Sequence, residues 1–534
     1  MMTKRAAVVS AALALVLSAC ATITISTTQR SSGTSSETSG EVSTETSRGS
    51  SAVPRAPEST ESALWGAFGE RASANGRLLD FSYAGYGFGD KPLPEYRVVA
   101  RVTDFGAVPN DGRDDTDAFK RAIARTDAGA ILIPEGRYEI NDVIEINKPR
   151  IVLRGEGPDK TVIHIDKALE DVQPTNAQGT LKWSWSGGFF KIDGSFTQGK
   201  AAKIVRPARQ GDRTIQVDNP THLRAGERVV ILQTNDADNS LIRYLYDDDP
   251  GDIGKLNTNL NVAMQAEVES VVGSIVTLNR PLRWDVRAQW NPYIRHSRTD
   301  VHDVGIEHLA IEFEPIPYPG HHKERGLNAI NIGMASDCWV RDIVIRNCDS
   351  GIFVSGNNNT LTDIQITSER EPYLRTYTGH HGFTLGVDNL LQNFRIDTIL
   401  YHEVTMTRRS AGNVIKNGSA IDMALDHHKS VNHANLFTNL DVGKGTRIWK
   451  SGGADAYGKH AGAWSTFWNI RADNPIPWPP EGFAPDLINI IGVTTNQPTQ
   501  TNATGRWFEP IDPDRIEPQD LHAAQLRRRG APGN

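Results

Sequence analysis

From Leu309 onward the chain repeats one phrase, a short β-branched or aromatic run beside Asp or Asn, closed by a polar or glycine turn. The runs are Leu309-Ala310-Ile311, Ile343-Val344-Ile345, Ile364-Gln365-Ile366, Phe394-Arg395-Ile396, Val414-Ile415 and Leu436-Phe437. Runs of this composition between turn formers predict strands. If His308, Asp342, Asp363, Asn393, Asn417 and Asn439 are equivalent positions, their spacings are 34, 21, 30, 24 and 22. A coil of 21 to 24 residues with two loop insertions accounts for the series. Such a period marks a solenoid, in which each coil buries its apolar face against its neighbours. A β-sandwich would have strands of similar length without a shared period.

Residues 201–285 follow another pattern. Lys203-Ile204-Val205, Thr214 to Val217, Arg228 to Leu232, Val268 to Val271 and Ile275 to Leu278 predict strands joined by glycine turns. A long loop rich in Asp and Asn runs from Thr234 to Asn261. This predicts a small antiparallel β insert, placed where it could cap one side of a groove.

The N-terminal part of the body reads Asp104-Phe105-Gly106-Ala107, Asp111-Gly112, Asp114-Asp115-Thr116, a helical stretch from Ala118 to Arg125, and Ile131-Leu132-Ile133-Pro134-Glu135-Gly136-Arg137-Tyr138. In this order and spacing the segment closely resembles the opening of the pectate-lyase-like superfamily of secreted β-helix proteins. The resemblance implies an all-β fold: a single-stranded right-handed parallel β-helix with an N-terminal capping helix, here carrying the antiparallel insert. A helix there would shield the first coil, whose strand edges are otherwise unpaired. The motif implies a fold and not a reaction.

Ahead of this, Lys4-Arg5, an apolar run from Ala6 to Leu17, and Leu17-Ser18-Ala19-Cys20 resemble a bacterial lipoprotein signal. That resemblance implies lipidation at Cys20 and anchoring in the cell envelope, at the outer membrane given Ala21 after the cysteine. Residues 20–61 are rich in Ser, Thr, Glu and Gly and predict a flexible tether. Cys338 and Cys348 read as two small buried residues without a disulfide. The expected layout is a signal at 1–19, tether at 20–61, cap and first coils at 62–200, insert at 201–285, site-bearing coils at 286–490 and a tail at 491–534.

Composition narrows the partners. With 57 basic and 64 acidic residues the formal charge is −7, which argues against nucleic acid. An acidic ligand remains compatible with a local basic cleft on an acidic surface.

Seven of the fifteen histidines, at 380, 381, 402, 427, 428, 433 and 460, fall within 81 residues. Tyr401 lies 8 residues after Asn393, Asp426 lies 9 after Asn417, and Ile448 lies 9 after Asn439. Near-equal offsets on a solenoid stack, so Tyr401–Glu403, Asp426–His428 and Ile448–Lys450 are expected to form one ladder, bordered by His380 and His381. This patch of imidazole, carboxylate, Arg, Lys and indole is suited to a polysaccharide, an acidic one given its basic groups.

Two chemistries fit. β-Elimination from a uronate needs a base for the acidic proton and a cation facing the carboxylate. His381, His402, His427 or Tyr401 would be the base, with Arg447 and Lys450 facing the carboxylate, and Asp426 is counted among the catalytic candidates. His380, His428, Arg408, Trp449, His460 and Asp422 would bind substrate. Inverting hydrolysis would instead need two carboxyl groups flanking a water, with Glu403, Asp422 and Asp426 available. Gly379 to Gly382 and Arg447 to Lys450 resemble the "GHG" and "RIK" boxes of polygalacturonase-like hydrolases, but each carries an inserted residue and the acid-bearing boxes are missing. The expectation is a polysaccharide lyase, with a hydrolase or a glycan-binding solenoid as alternatives. No metal site is assigned, and no cofactor is demanded, although a divalent cation such as Ca2+ is compatible with the lyase reading.

Overall fold

The computed structural model describes residues 60–72, 76–173, 182–196, 199–256, 259–297 and 299–530. The signal, Cys20 and the tether up to residue 59 lie outside the described residues.

Two long parallel sheets build the body. One has fifteen strands and runs through the coils from Val98–Arg101 to Trp507–Glu509. The other has seven, in the spatial order Leu425–His427, Leu400–Ala411, Gly379–Val387, Ser350–Val354, Asn328–Ile332, Phe190–Ile192 and Ile144–Ile146. Parallel neighbours joined by turns, coil after coil, make the single-stranded parallel β-helix, with the right-handed crossover that such connections adopt.

The expected column of equivalent positions is present. His308, Asp342, Asp363, Asn393, Asn417 and Asn439 each take φ between 51° and 60°, and Asn469 continues the column at 55°. Each skips the register of its strand while residues on both sides stay paired. The column is therefore a left-handed bend inside the long sheet. Left-handed backbone is costly for most residues and tolerated best by Gly, Asn and Asp, which explains the composition of the column. The side chains also bond along it: Nδ2 of Asn417 donates to Asn393 (3.2 Å) and Nδ2 of Asn439 to Asn417 (2.9 Å).

A second ladder is wholly buried. Asn359, Asn389, Asn413 and Asn435 lie just before successive long strands and bond one to the next, with Nδ2 of Asn413 donating to Asn435 at 2.9 Å. It satisfies turn backbone that would otherwise be orphaned inside the coil stack. Between the ladders, Ile, Val, Leu and Phe from every coil fill one continuous core. Cys338 and Cys348 are free and buried within it.

The helix Thr116–Arg125 sets Ala118, Phe119, Ala122 and Ile123 into the same core. The insert is an antiparallel six-stranded sheet. It starts at Lys200–Lys203 but closes with Tyr293–His296, which pairs with both Lys200–Lys203 and Arg228–Thr234, so it extends beyond residue 285. The expected loop 234–261 holds the helix Ser240–Leu245, whose Leu241, Ile242 and Leu245 anchor it in the insert core. That core also takes in Val431, Ala434, Ala463 and Trp464 of the solenoid. The solenoid likewise outlasts residue 490: Asn489–Val493 pairs with Thr466–Arg471, and the helix Leu521–Arg529 packs on the outside of the long sheet.

Candidate functional site

The seven-stranded sheet carries the site on its outward face. Successive strand residues alternate between core and exterior. On the Leu400–Ala411 strand Val404 and Met406 belong to the core and Thr405 between them bonds to His381, whereas His402, of the same parity as Val404, meets His381 and Asp426 instead, so simple alternation stops short of it. His381 pairs in register with His402, and their rings stack at 5.1 Å and 25°. His381 Nδ1 shares a 3.0 Å hydrogen bond with Thr405 Oγ1. His380 lies beside His381, centroids 4.0 Å apart, and 5.6 Å from His402.

Asp426 is the anion of this group. It is fully buried, and its Oδ2 accepts a hydrogen bond from His428 Nδ1 at 3.1 Å and lies 3.4 Å from His402 Nδ1. Its Oδ1 accepts from the Gly452 backbone N–H at 2.6 Å. Burial would raise the Asp426 carboxyl, but His402, His428 and the Gly452 amide hold it well below the usual carboxylate range. Gly452 is needed for this approach, because a Cβ there would lie 2.7 Å from the His428 ring.

Burial holds three of the surrounding imidazoles, His380, His381 and His402, below the ordinary histidine value. Burial, opposed by Asp426, pushes His402 down to about 4. Burial and then the neighbouring rings push His380 and His381 well below the ordinary value.

A wall of aromatic rings and one cation completes the cleft. Tyr401 stacks on Tyr377 at 4.1 Å, and Lys450 Nζ donates to Tyr377 Oη at 2.9 Å while sitting 5.4 Å from the Tyr401 ring. Burial, with Tyr373 and Tyr377 nearby, raises the Tyr401 phenol.

His380, His381, His402, His428, Tyr401, Asp426 and Lys450 are thus brought together, and the other expected site residues are not. Arg447 turns beneath the cleft, donating to Glu403 Oε1 (3.0 Å) and to the carbonyls of Leu400 (2.6 Å), Tyr401 (3.0 Å) and Asp422 (3.1 Å). Both of its terminal nitrogens are thereby occupied by groups of the protein itself. His427 points inward, against Phe437, Phe467 and Phe483, and bonds to Asn432 at 2.9 Å. Trp449 packs on Phe467 and Phe483 and donates to the Pro477 carbonyl. Asp422 is taken by the Thr446 amide and hydroxyl, His460 donates to the His427 carbonyl, and Arg408 lies over Tyr457.

The expected ladder is also displaced. Asp426 pairs with Thr405 and not Tyr401, and Ile448–Lys450 form a turn and not a strand. The turns that precede the site strands differ in length, so offsets counted from the bend column do not carry across them.

Several site residues lay outside the sequence reading. His321 stacks on Tyr401 at 4.6 Å and lies 4.7 Å from His380. His322 adjoins it, and Glu324 Oε1 lies 3.3 Å from His380 Nδ1. Trp185, 43% exposed, sits 4.9 Å from His380, 5.1 Å from His381 and 5.1 Å from His428. A second His-His pair at 321–322 was the visible signal. Nothing in its local sequence marks Trp185 as part of the site.

Residues 99–196 match the family described as "Rhamnogalacturonase A/epimerase, pectate lyase-like", so the match covers the first coils and, of the site residues named above, Trp185 alone. No curated protein matches the chain. Among solved structures it is similar to the tailspike protein gp49 from Pseudomonas phage LKA1, at 15% identity and TM-score 0.46, over 70% of this chain and 59% of that one. The chain thus spans less than two thirds of that tailspike. It is also similar to the A-module of the mannuronan C-5 epimerase AlgE4 of Azotobacter vinelandii, at 12% identity and TM-score 0.28, over 70% of this chain and 75% of that one. A third is an exopolygalacturonase from Thermotoga maritima, at 11% identity and TM-score 0.30, over 72% of this chain and 73% of that one. The family match thus marks residues 99–196 as similar to that pectate-lyase-like family, and the sheet topology makes the body a parallel β-helix.

Proposed function

We propose that the protein is a glycan-processing enzyme, a polysaccharide lyase that cleaves a uronate-containing polymer by β-elimination. The observation that carries this is the convergence of neutral imidazoles, an Asp-oriented histidine and Lys450 in one outward-facing cleft. The name of the family matched by residues 99–196, a rhamnogalacturonase and an epimerase, agrees with a sugar substrate.

In this reading His428 is the base. Asp426 fixes its Nδ1–H, leaving Nε2 as the basic nitrogen toward the cleft. It takes the proton next to the sugar carboxyl, the electron pair forms a double bond, and the 4-linked oxygen leaves with its bonding electrons. Lys450 stabilises the negative charge that gathers on the carboxylate in the transition state. Tyr401 and Tyr377 supply flat apolar faces for sugar rings.

Hydrolysis has weaker support. Glu403 is held by Arg447 and the amides of Leu400 and Ala424, Asp422 by Thr446, and Asp426 by His428 and Gly452. Carboxyls so occupied are poorly placed to pass protons to a glycosidic oxygen and a water.

Incubation with a panel of uronate polysaccharides, read by ultraviolet absorbance of the unsaturated product, tests the proposal. New reducing ends without that absorbance would make the protein a hydrolase; binding without any product would make it a glycan receptor. Anchoring through Cys20 belongs to the same proposal, and Cys20→Ser should release the protein from the membrane fraction.

A further inference from the structure

We propose that His321, His322 and His380 form a three-imidazole site for a divalent transition metal of the zinc class. Their ligating nitrogens all lie within 4.8 Å of one another. The rings of His321 and His322 are 3.9 Å apart and those of His321 and His380 4.7 Å.

Hydrogen bonding supplies the second observation. His380 is fully buried, yet among the described residues neither of its ring nitrogens has a hydrogen-bond partner. His321 Nε2 is in the same condition. Buried polar atoms are nearly always satisfied, so orphaned nitrogens gathered at one point call for a shared partner. A metal ion supplies one, since each neutral imidazole offers it a lone pair.

The donor set selects the metal. Imidazole nitrogen suits zinc, copper and nickel, whereas Ca2+ takes oxygen ligands, so this site does not support the Ca2+ considered from sequence. Glu324 stands behind His380, its Oε1 3.3 Å from Nδ1. It is fixed in turn by Tyr318 Oη (2.6 Å), the His322 amide (3.1 Å) and Ser184 Oγ (2.5 Å). Nδ1 makes no hydrogen bond to it in this geometry, but a small turn of the ring on metal binding would let Glu324 accept the Nδ1 proton, as carboxylates do behind ligating histidines, and leave Nε2 for the metal.

Zinc–nitrogen bonds of about 2.0–2.1 Å require the three nitrogens to draw together on binding. His322 is exposed, in the loop between the Gly305–Phe313 and Asn328–Ile332 strands, and can turn inward by rotation of its side chain. Three protein ligands leave a fourth position open, as in reactive rather than structural zinc sites. Trp185 stands beside it, 5.4 Å from His322 and 4.9 Å from His380. If the lyase reading holds, and this clause rests on it, the open position receives the uronate carboxylate opposite Lys450.

The test uses the full chain without any substrate. After chelator treatment and dialysis it is titrated with Zn2+ by calorimetry, and with Co2+ by visible absorption. The expected result is one Zn2+ per chain and the intense Co2+ bands of a low-coordinate site. His322→Ala, at an exposed position, should keep the circular dichroism of the parent and weaken Zn2+ binding at least about 10-fold. His321→Ala with His322→Ala should abolish it, while His222→Ala, exposed in the insert, should bind as the parent does. A parent chain that takes up no more Zn2+ than the double variant overturns the site. Because the readout is binding alone, the lyase proposal fails separately: a chain that holds zinc but releases no unsaturated product overturns that proposal and leaves this one standing.

Discussion

Asp426 holds His428, its Oδ2 accepting the Nδ1 proton at 3.1 Å, and with the same oxygen reaches to 3.4 Å from His402. One buried carboxylate therefore holds one imidazole by a hydrogen bond and lies within ion-pair distance of a second from the neighbouring coil. Asp426→Asn keeps the shape but can present its amide nitrogen to a ring that needs an acceptor. The expected outcome is a fall in kcat of about 100-fold or more, the scale of a lost general base, with little change in KM. Initial rates of unsaturated-product release, alongside an unchanged near-ultraviolet circular dichroism spectrum, check it. An unaffected rate would remove Asp426 and His428 from the chemistry.

Arg447 and Lys450 are three residues apart and act differently. Arg447 neutralises buried Glu403, so Arg447→Ala strands a carboxylate inside the protein and should cost about 3–5 kcal/mol of stability. Lys450 reaches into the cleft from an exposed turn, so Lys450→Ala should shift stability by no more than about 0.5 kcal/mol while strongly lowering turnover. Urea unfolding beside kinetics on the two variants separates the roles. Equal stability losses would contradict the placement.

Buried histidines make the fold acid-sensitive. Burial lowers His402 and His427 from the ordinary 6.5 to about 4, so between these values the unfolded chain binds protons that the folded chain refuses. The stabilisation is complete above pH 6.5 and is lost as pH falls toward 4. The unfolding free energy from urea titrations should therefore drop steeply from pH 7 to pH 5, on the order of several kcal/mol in all, and His427→Gln should flatten the slope. A flat profile through this window would show that these rings are not buried neutral.

The bend column was legible because its conformation constrains composition: left-handed backbone on coil after coil leaves Asn, Asp and occasionally His. The site was legible in composition but not in register. Val404 and Leu425 are paired, yet they lie 11 and 8 residues after the bend residues Asn393 and Asn417, so counting from the bend misplaced the ladder. His427 and His428 are adjacent in sequence, and only the pleat decides which one faces Phe437 in the core and which faces Asp426 in the cleft. His321 and His322 arrive on a loop 58 residues before His380–His381, and proximity created by coil stacking leaves no local mark.

The bend column also makes a stability prediction. Asn417 combines φ 53° with bonds to Asn393 and Asn439. Asn417→Gly loses the bonds but not the conformation and should cost about 1 kcal/mol. Asn417→Val adds the strain of a β-branched residue in left-handed backbone and should cost about 1–2 kcal/mol more. Thermal unfolding of both variants gives the order. Valine no worse than glycine would mean that the bend relaxes to an ordinary strand.

Trp185 is the residue on which sugar contact can be tested with least risk to the fold. Its ring is 43% exposed yet lies 5.1 Å from both His381 and His428, so it covers the cleft without belonging to the core. A flat indole beside the reacting groups offers a face for a pyranose ring and narrows the access of water. Trp185→Ala removes that face while leaving Asp426, His428 and Lys450 in place. KM should rise about 10-fold, the equivalent of one lost aromatic contact, with kcat changed far less. Trp185→Phe should recover part of the loss. If the two variants lose kcat alone and equally, Trp185 orders the histidines beneath it and does not hold the polymer.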